Sequence, residues 1–101
     1  MEQAHGLLAA QKAVVFDIRE PHEHARGVAP DMRLLPMSQL KQRMHEIPKD
    51  RPVLVICSTQ NRSFETQKML QAAGWNNVRY VEDGMNGWAQ HGWPLVGLPA
   101  S

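Results

Sequence analysis

The amino-acid sequence predicts an α/β fold in which a mainly parallel sheet is covered by helices. Three observations carry that reading. Short apolar runs alternate with amphipathic stretches along the chain. Most of the runs are rich in Val or Ile, as strands covered on both faces are. The length of 101 residues gives room for one compact domain, residues 1–101, with a modest core and little else.

Four runs read as strands: Ala13 to Phe16, Arg33 to Leu35, Val53 to Ile56 and Val78 to Val81. The second is the least apolar and suits a sheet edge. Between them lie the helices. Ala4, Leu7 and Leu8 share one face of a first helix, and Glu20-Pro21 opens a short second one, with Pro21 suited to a first helical turn. Ser38 is expected to cap a third helix that buries Leu40 and Met44. From about Arg62 to Ala73, a stripe of Thr66, Met69, Leu70 and Ala73 is expected to face the sheet, and Gly74 ends the helix. A last helix from about Met85 to His91 is built around Trp88 and closed by Gly92 and Pro94.

Composition narrows the function classes. Hydrophobic residues make up 43% and charged residues 21%, as in ordinary soluble globular proteins. A formal net charge of +1 argues against a nucleic-acid partner, which needs a clear basic excess. No stretch approaches the roughly 18 apolar residues that span a bilayer, so no membrane partner is expected. The start, Met1-Glu2-Gln3-Ala4-His5, lacks the basic and then apolar build of a secretion signal. With one cysteine there is no internal disulfide, and a reducing cytoplasm is the expected location. No repeat, low-complexity segment or linker is visible.

That cysteine carries the functional reading. Cys57 directly follows Val53-Leu54-Val55-Ile56 and precedes a helix opening near Arg62, which puts it at the carboxyl end of a parallel strand, where open α/β folds bind ligands. A loop running into a helix N-terminus aims several N–H groups at one spot, and the helix dipole adds positive potential. A thiol there is expected to react as the thiolate. Arg62 ends the loop with a permanent charge and a forked donor suited to an oxyanion. This arrangement suits sulfur transfer: a thiolate attacks the outer sulfur of a donor, and inward N–H groups stabilise the resulting persulfide. Against it stands the bland reading, since a free cysteine is commonly a small buried hydrophobe.

Several motifs in order resemble the rhodanese family. Val15-Phe16-Asp17-Ile18-Arg19-Glu20-Pro21-His22-Glu23 is similar to its first signature, an aliphatic pair followed by Asp-Val-Arg-Glu and an acidic helix start. Ala25-Arg26-Gly27-Val28-Ala29-Pro30 with Leu34-Leu35-Pro36 parallels its next segment. Cys57 to Ser63 is similar to the active loop, commonly Cys-x-x-Gly-x-Arg-Ser. Leu70-Gln71-Ala72-Ala73-Gly74-Trp75, Val78, Asp83-Gly84-Met85-Asn86-Gly87-Trp88 and Gly92-Trp93-Pro94-Leu95 resemble the closing pattern.

The resemblance implies a single-domain rhodanese-like fold, with a four- to five-stranded sheet flanked by helices on both faces. It implies that Cys57 is the persulfide-bearing nucleophile and that Arg62 and the amides of residues 58 to 62 bind the anion. Ser58, Thr59, Gln60, Asn61 and Ser63 complete the expected binding loop, although Ser63 and Asn61 equally suit a helix start. The implied activity is double displacement, taking sulfur from thiosulfate or a persulfide donor and giving it to a thiol, a protein acceptor or cyanide. No cofactor is implied. Related phosphatases and arsenate reductases usually have one more loop residue than the six from Cys57 to Arg62. A phosphatase or arsenate reductase is therefore the lesser alternative, beside a non-catalytic interaction module.

The chain departs from the family pattern in three ways. Gln60 stands where Gly is usual, so a loop needing positive φ there would be strained or altered. Val28 replaces a common His. The chain also begins inside the first helix, without the short edge strand that often precedes it.

Asp17 and Arg19 are supporting candidates. Asp17 would orient loop amides or an arginine and Arg19 would add positive potential, or the two form an ion pair that only fixes a turn. Phe64 falls opposite the apolar stripe, at the pocket rim or on a partner surface. His22 and His24 lack a third ligand at metal-binding spacing, so no metal is expected. His5, His45 and His91 read as surface residues, and Trp75, Trp88 and Trp93 as core and turn packing.

Overall fold

β-branched residues draw the chain into three of its four described strands, a short Arg33–Leu34 edge pairs beside them, and the segments between close over the resulting sheet. A computed structural model describes residues 2–9 and 12–92. Helix α1 (Glu2–Ala9) leads to strand β1 (Val14–Asp17), helix α2 (Pro21–His24) and strand β2 (Arg33–Leu34). Helix α3 (Leu40–Arg43) lies between single 3₁₀ turns at Met37–Gln39 and Met44–Glu46. Strand β3 (Val53–Ile56), helix α4 (Asn61–Ala72), strand β4 (Val78–Tyr80) and helix α5 (Gly84–Gln90) follow.

The sheet has the order β2-β1-β3-β4 and is parallel throughout. The two central strands pair from Val14 opposite Val53 to Asp17 opposite Ile56. Alternation along them builds two cores. Phe16, Val53, Val55 and Cys57 face Leu40, Ile47 and Leu70 on the side of α3 and α4. Val15 and Ile56 face Leu8, Met85 and Trp88 on the side of α1 and α5. Both faces are covered, which is why β1 and β3 read as unbroken apolar runs. The expected α/β architecture is therefore the one observed.

Several local expectations shift. β1 runs one residue later than expected, because Asp17 pairs with both Leu34 and Ile56. Ser38 caps no helix: the turn begins at Met37, and Ser38 instead donates its amide (3.1 Å) and hydroxyl (2.6 Å) to the Glu20 carboxylate. Ala73 is exposed beyond the end of α4, whose buried face is Ser63, Thr66 and Leu70, with Met69 partly covered. His5 lies half-buried with its ring 5.1 Å from that of Trp88, rather than at the surface. Expectations for Trp93, Pro94, Leu95 and the side chain of Ala4 lie outside the described residues.

At the end of β1, Asp17 and Arg19 bond each other. Arg19 donates from Nε to Oδ1 (2.9 Å) and from Nη2 to Oδ2 (2.7 Å), and its amide reaches Oδ1 at 3.1 Å. Arg19 Nη2 also reaches the Gly27 carbonyl at 3.0 Å, tying the strand end to the chain beyond α2. Asp17 is fully buried and the Arg19 side chain is 10% exposed, so removing one partner strands a charge in the core. Asp17→Ala is expected to lower unfolding free energy by about 3–5 kcal/mol in a urea titration. A loss below about 1 kcal/mol would show the pair to behave like a surface contact.

Candidate active site

Period-2 alternation aims Cys57 inward from the end of β3, where it is 1% exposed. Four residues on, α4 begins, and its first turn meets the sulfur. The Ser63 amide donates to Cys57 Sγ at 3.3 Å, and the thiol lies 3.5 Å from Ser63 Oγ. That hydroxyl in turn donates to the Gln60 carbonyl at 3.1 Å. Ser63 is fully buried, so the sulfur has one amide and one hydroxyl fixed against it.

The loop is shaped from the other side by α5. The Met85 amide donates to the Cys57 carbonyl at 2.6 Å and the Asn86 amide to the Ser58 carbonyl at 2.9 Å. Across a trans peptide the C=O and the following N–H point in opposite directions. Drawing these carbonyls to α5 therefore turns the amides of Ser58 and Thr59 away from it. Among the described residues, the amides of residues 58 to 62 donate to no backbone carbonyl. The close approach requires Gly84: it sits at φ +53°, and a Cβ there would collide with the carbonyl oxygens of Cys57 and Thr59.

A family model described as rhodanese-like domain matches residues 1–91 of the sequence. The chain belongs to the rhodanese-like domain family. One relative, a sulfurtransferase from Allochromatium vinosum, is 39% identical over 90 residues, covering 89% of this chain and 84% of the relative. A rhodanese-related protein from Thermoplasma volcanium superposes with a TM-score of 0.81 at 31% identity, covering 92% of this chain and 93% of that one. A rhodanese-like domain protein from Staphylococcus aureus gives 0.83 at 26% identity, covering 97% and 93%.

Within this rhodanese-like loop, Arg62 is closed onto a carboxylate. Its Nη1 and Nη2 donate to Glu23 Oε1 (2.6 Å) and Oε2 (2.8 Å), and Nη2 also reaches Ser58 Oγ at 3.1 Å. Ser58 Oγ donates to Glu23 Oε2 at 2.8 Å. The guanidinium hydrogen bonds hold the Glu23 carboxyl well below the usual carboxylate range, and the Glu23 hydrogen bonds raise Arg62 further. Arg62 and Ser58 are thus brought together by a residue outside the loop, while the side chains of Thr59, Gln60 and Asn61 are exposed. Asp17 and Arg19 spend their hydrogen bonds on each other and on Gly27, and His24 Nε2 lies 3.4 Å from Asp17 Oδ1.

Gln60 is not strained. Its φ is −146°, in ordinary negative territory, and positive φ among described non-glycine residues occurs at Asp31 and Asp83. This rhodanese-like loop has adopted a conformation open to any residue, so Gln60→Gly relieves nothing. Phe64 is exposed, as its place opposite the stripe implies, and packs edge-on against Tyr80 at 5.1 Å. Glu23 was the residue hidden from sequence reasoning. It stands in the acidic helix start of the first signature, but 39 positions separate it from Arg62.

Two outcomes follow from this geometry. Gly84→Ala is expected to cost about 2 kcal/mol or more and to raise the alkylation rate of Cys57 as the loop leaves α5; unchanged stability and alkylation would contradict the close approach. A carboxyl whose folded value is depressed contributes stability above its ordinary value of 4.5 and loses it as pH falls below. The melting-temperature gap between the wild type and Glu23→Gln should therefore be full at neutral pH and shrink steadily below pH 4.5. A gap that does not change with pH would contradict the ion pair.

Proposed function

We propose that the chain is a sulfurtransferase of one domain, residues 1–101, that carries sulfane sulfur as a persulfide on Cys57. The observation that carries this reading is the surround of the sulfur: the Ser63 amide on Sγ, the amides of Ser58 and Thr59 turned away from α5, and loop amides without backbone acceptors among the described residues. The sulfurtransferase name of the Allochromatium vinosum relative supports it. The cycle begins as the thiol gives its proton to water. Ser63 Oγ can then swing its hydrogen from the Gln60 carbonyl to the thiolate, since a hydroxyl has one donor and can rotate.

In the first half-reaction the Cys57 thiolate attacks the outer sulfur of thiosulfate or of a persulfide donor. A bond forms between Sγ and that sulfur, the donor's S–S bond breaks, and its electron pair leaves on sulfite or on a thiolate. The negative outer sulfur now on Cys57 sits toward the amides of residues 58 to 62, which stabilise it without reorganising. In the second half-reaction an acceptor thiolate or cyanide attacks the outer sulfur and returns Cys57 as thiolate. Arg62, Ser58, Thr59, Gln60, Asn61 and Ser63 form the binding loop, and no cofactor enters either step. A reducing cytoplasm suits a chain whose function needs its thiol unpaired.

The test is intact mass after incubation with thiosulfate and, separately, with cysteine persulfide. A gain of about 32 Da with either donor, removed by cyanide and absent from Cys57→Ser, is expected for a covalent sulfur carrier. No gain with either donor would contradict the reading and favour an interaction module.

A further inference from the structure

The anion site has an unusual charge balance. The cation of the Cys57 to Arg62 loop is Arg62, and both of its terminal nitrogens are held by the Glu23 carboxylate at 2.6 and 2.8 Å. Glu20 caps α2 beside Glu23, its amide donating to Glu23 Oε1 at 3.1 Å, and so puts a second acidic residue next to the clamp. Asp17 is paired with Arg19 in the core, so the cation at the end of β1 is neutralised as well. What an incoming donor meets is the neutral N–H groups of the loop and an arginine whose charge is already balanced.

The two donor classes ask different things of such a site. Thiosulfate arrives as a dianion and expels sulfite, so both its binding and its leaving group call for an uncompensated cation. An alkyl persulfide, R–S–SH, brings at most one charge on its sulfur group, and cysteine persulfide has its ammonium to offset its carboxylate. Cys57 thiolate attacks its outer sulfur, the Sγ–S bond forms, the donor S–S bond breaks, and the electron pair leaves on the alkyl thiolate R–S⁻. The product is Cys57–S–SH, and nothing is oxidised or reduced overall. Neutral amides are sufficient for that step.

We propose that Glu23 sets the donor class, balancing Arg62 so that the Cys57 site takes sulfur from a small alkyl persulfide in preference to thiosulfate. This rests on the sulfurtransferase reading above and names its substrate. Ser58 belongs to the same device, because its hydroxyl joins Glu23 (2.8 Å) to Arg62 (3.1 Å) and so holds the clamp against the loop. Glu23 acts through Arg62 and is a positioning residue. Its signature is therefore a change in donor ratio rather than a general loss.

The experiment is single-turnover loading of Cys57, followed by mass, with thiosulfate and with cysteine persulfide in wild type and Glu23→Gln. Freeing the guanidinium should raise the second-order loading rate with thiosulfate by at least about tenfold, a scale set by one uncompensated charge at close range. Loading by cysteine persulfide should change by less than about threefold, and the thiosulfate gain should shrink in high salt. Glu20→Gln, which leaves the clamp in place, should shift the ratio the same way by a smaller factor and keeps the test decisive if Glu23→Gln does not fold. Equal changes with both donors, or a wild type that already prefers thiosulfate, would overturn the role of Glu23 while leaving the persulfide on Cys57 intact. No loading of wild-type Cys57 by either donor would overturn both.

Discussion

Two hydrogen bonds from the first turn of α5, to the carbonyls of Cys57 and Ser58, determine what the loop after β3 can do. They fix the peptide planes at the point where the strand ends, and planarity then decides where the next amides point. The left-handed backbone at Asp83 and Gly84 is the local cost of bringing α5 so near. It is sustained by the core beneath, where Met85 and Trp88 are buried against Val15 and Ile56. Packing on one face of the sheet thus shapes a loop whose cysteine sulfur points to the other.

The two acid–arginine pairs at this end of the sheet differ in kind. Asp17 and Arg19 are buried and joined by several hydrogen bonds, so their pairing serves the strand-to-helix turn. Glu23 and Arg62 keep 18% and 35% of their side-chain surface, so solvent weakens their attraction. The solvent-screened pair sits at the loop after β3, whereas the buried one lies beneath the strand-to-helix turn. Burial therefore separates the arginine locked in the core from the one left at the loop surface.

The sheet was legible because β1 and β3 are covered on both faces, which writes an unbroken apolar run into the sequence. Cys57 was placed correctly for the same reason: it continues the Val53, Val55 alternation by one step. Ser38 was misread because capping preference is local, while its actual acceptor, Glu20, is 18 positions away in the chain. Glu23 was missed for a related reason, since an ion pair between α2 and α4 leaves no periodicity to read. The strain expected at Gln60 came from the glycine usual in the family, and the backbone resolves it by keeping φ negative. Asp83-Gly84 was visible only as part of the family's closing pattern, and it takes the fold to show that the missing Cβ makes room for the loop carbonyls.

The most direct test of this account is a crystal structure of the protein after loading with a sulfur donor. The account predicts one added sulfur bonded to Cys57 Sγ, within hydrogen-bonding distance of amides from residues 58 to 62, with the α5 hydrogen bonds to the loop unbroken. An added sulfur that points away from those amides, or a loop that has left α5 to accommodate it, would contradict the account.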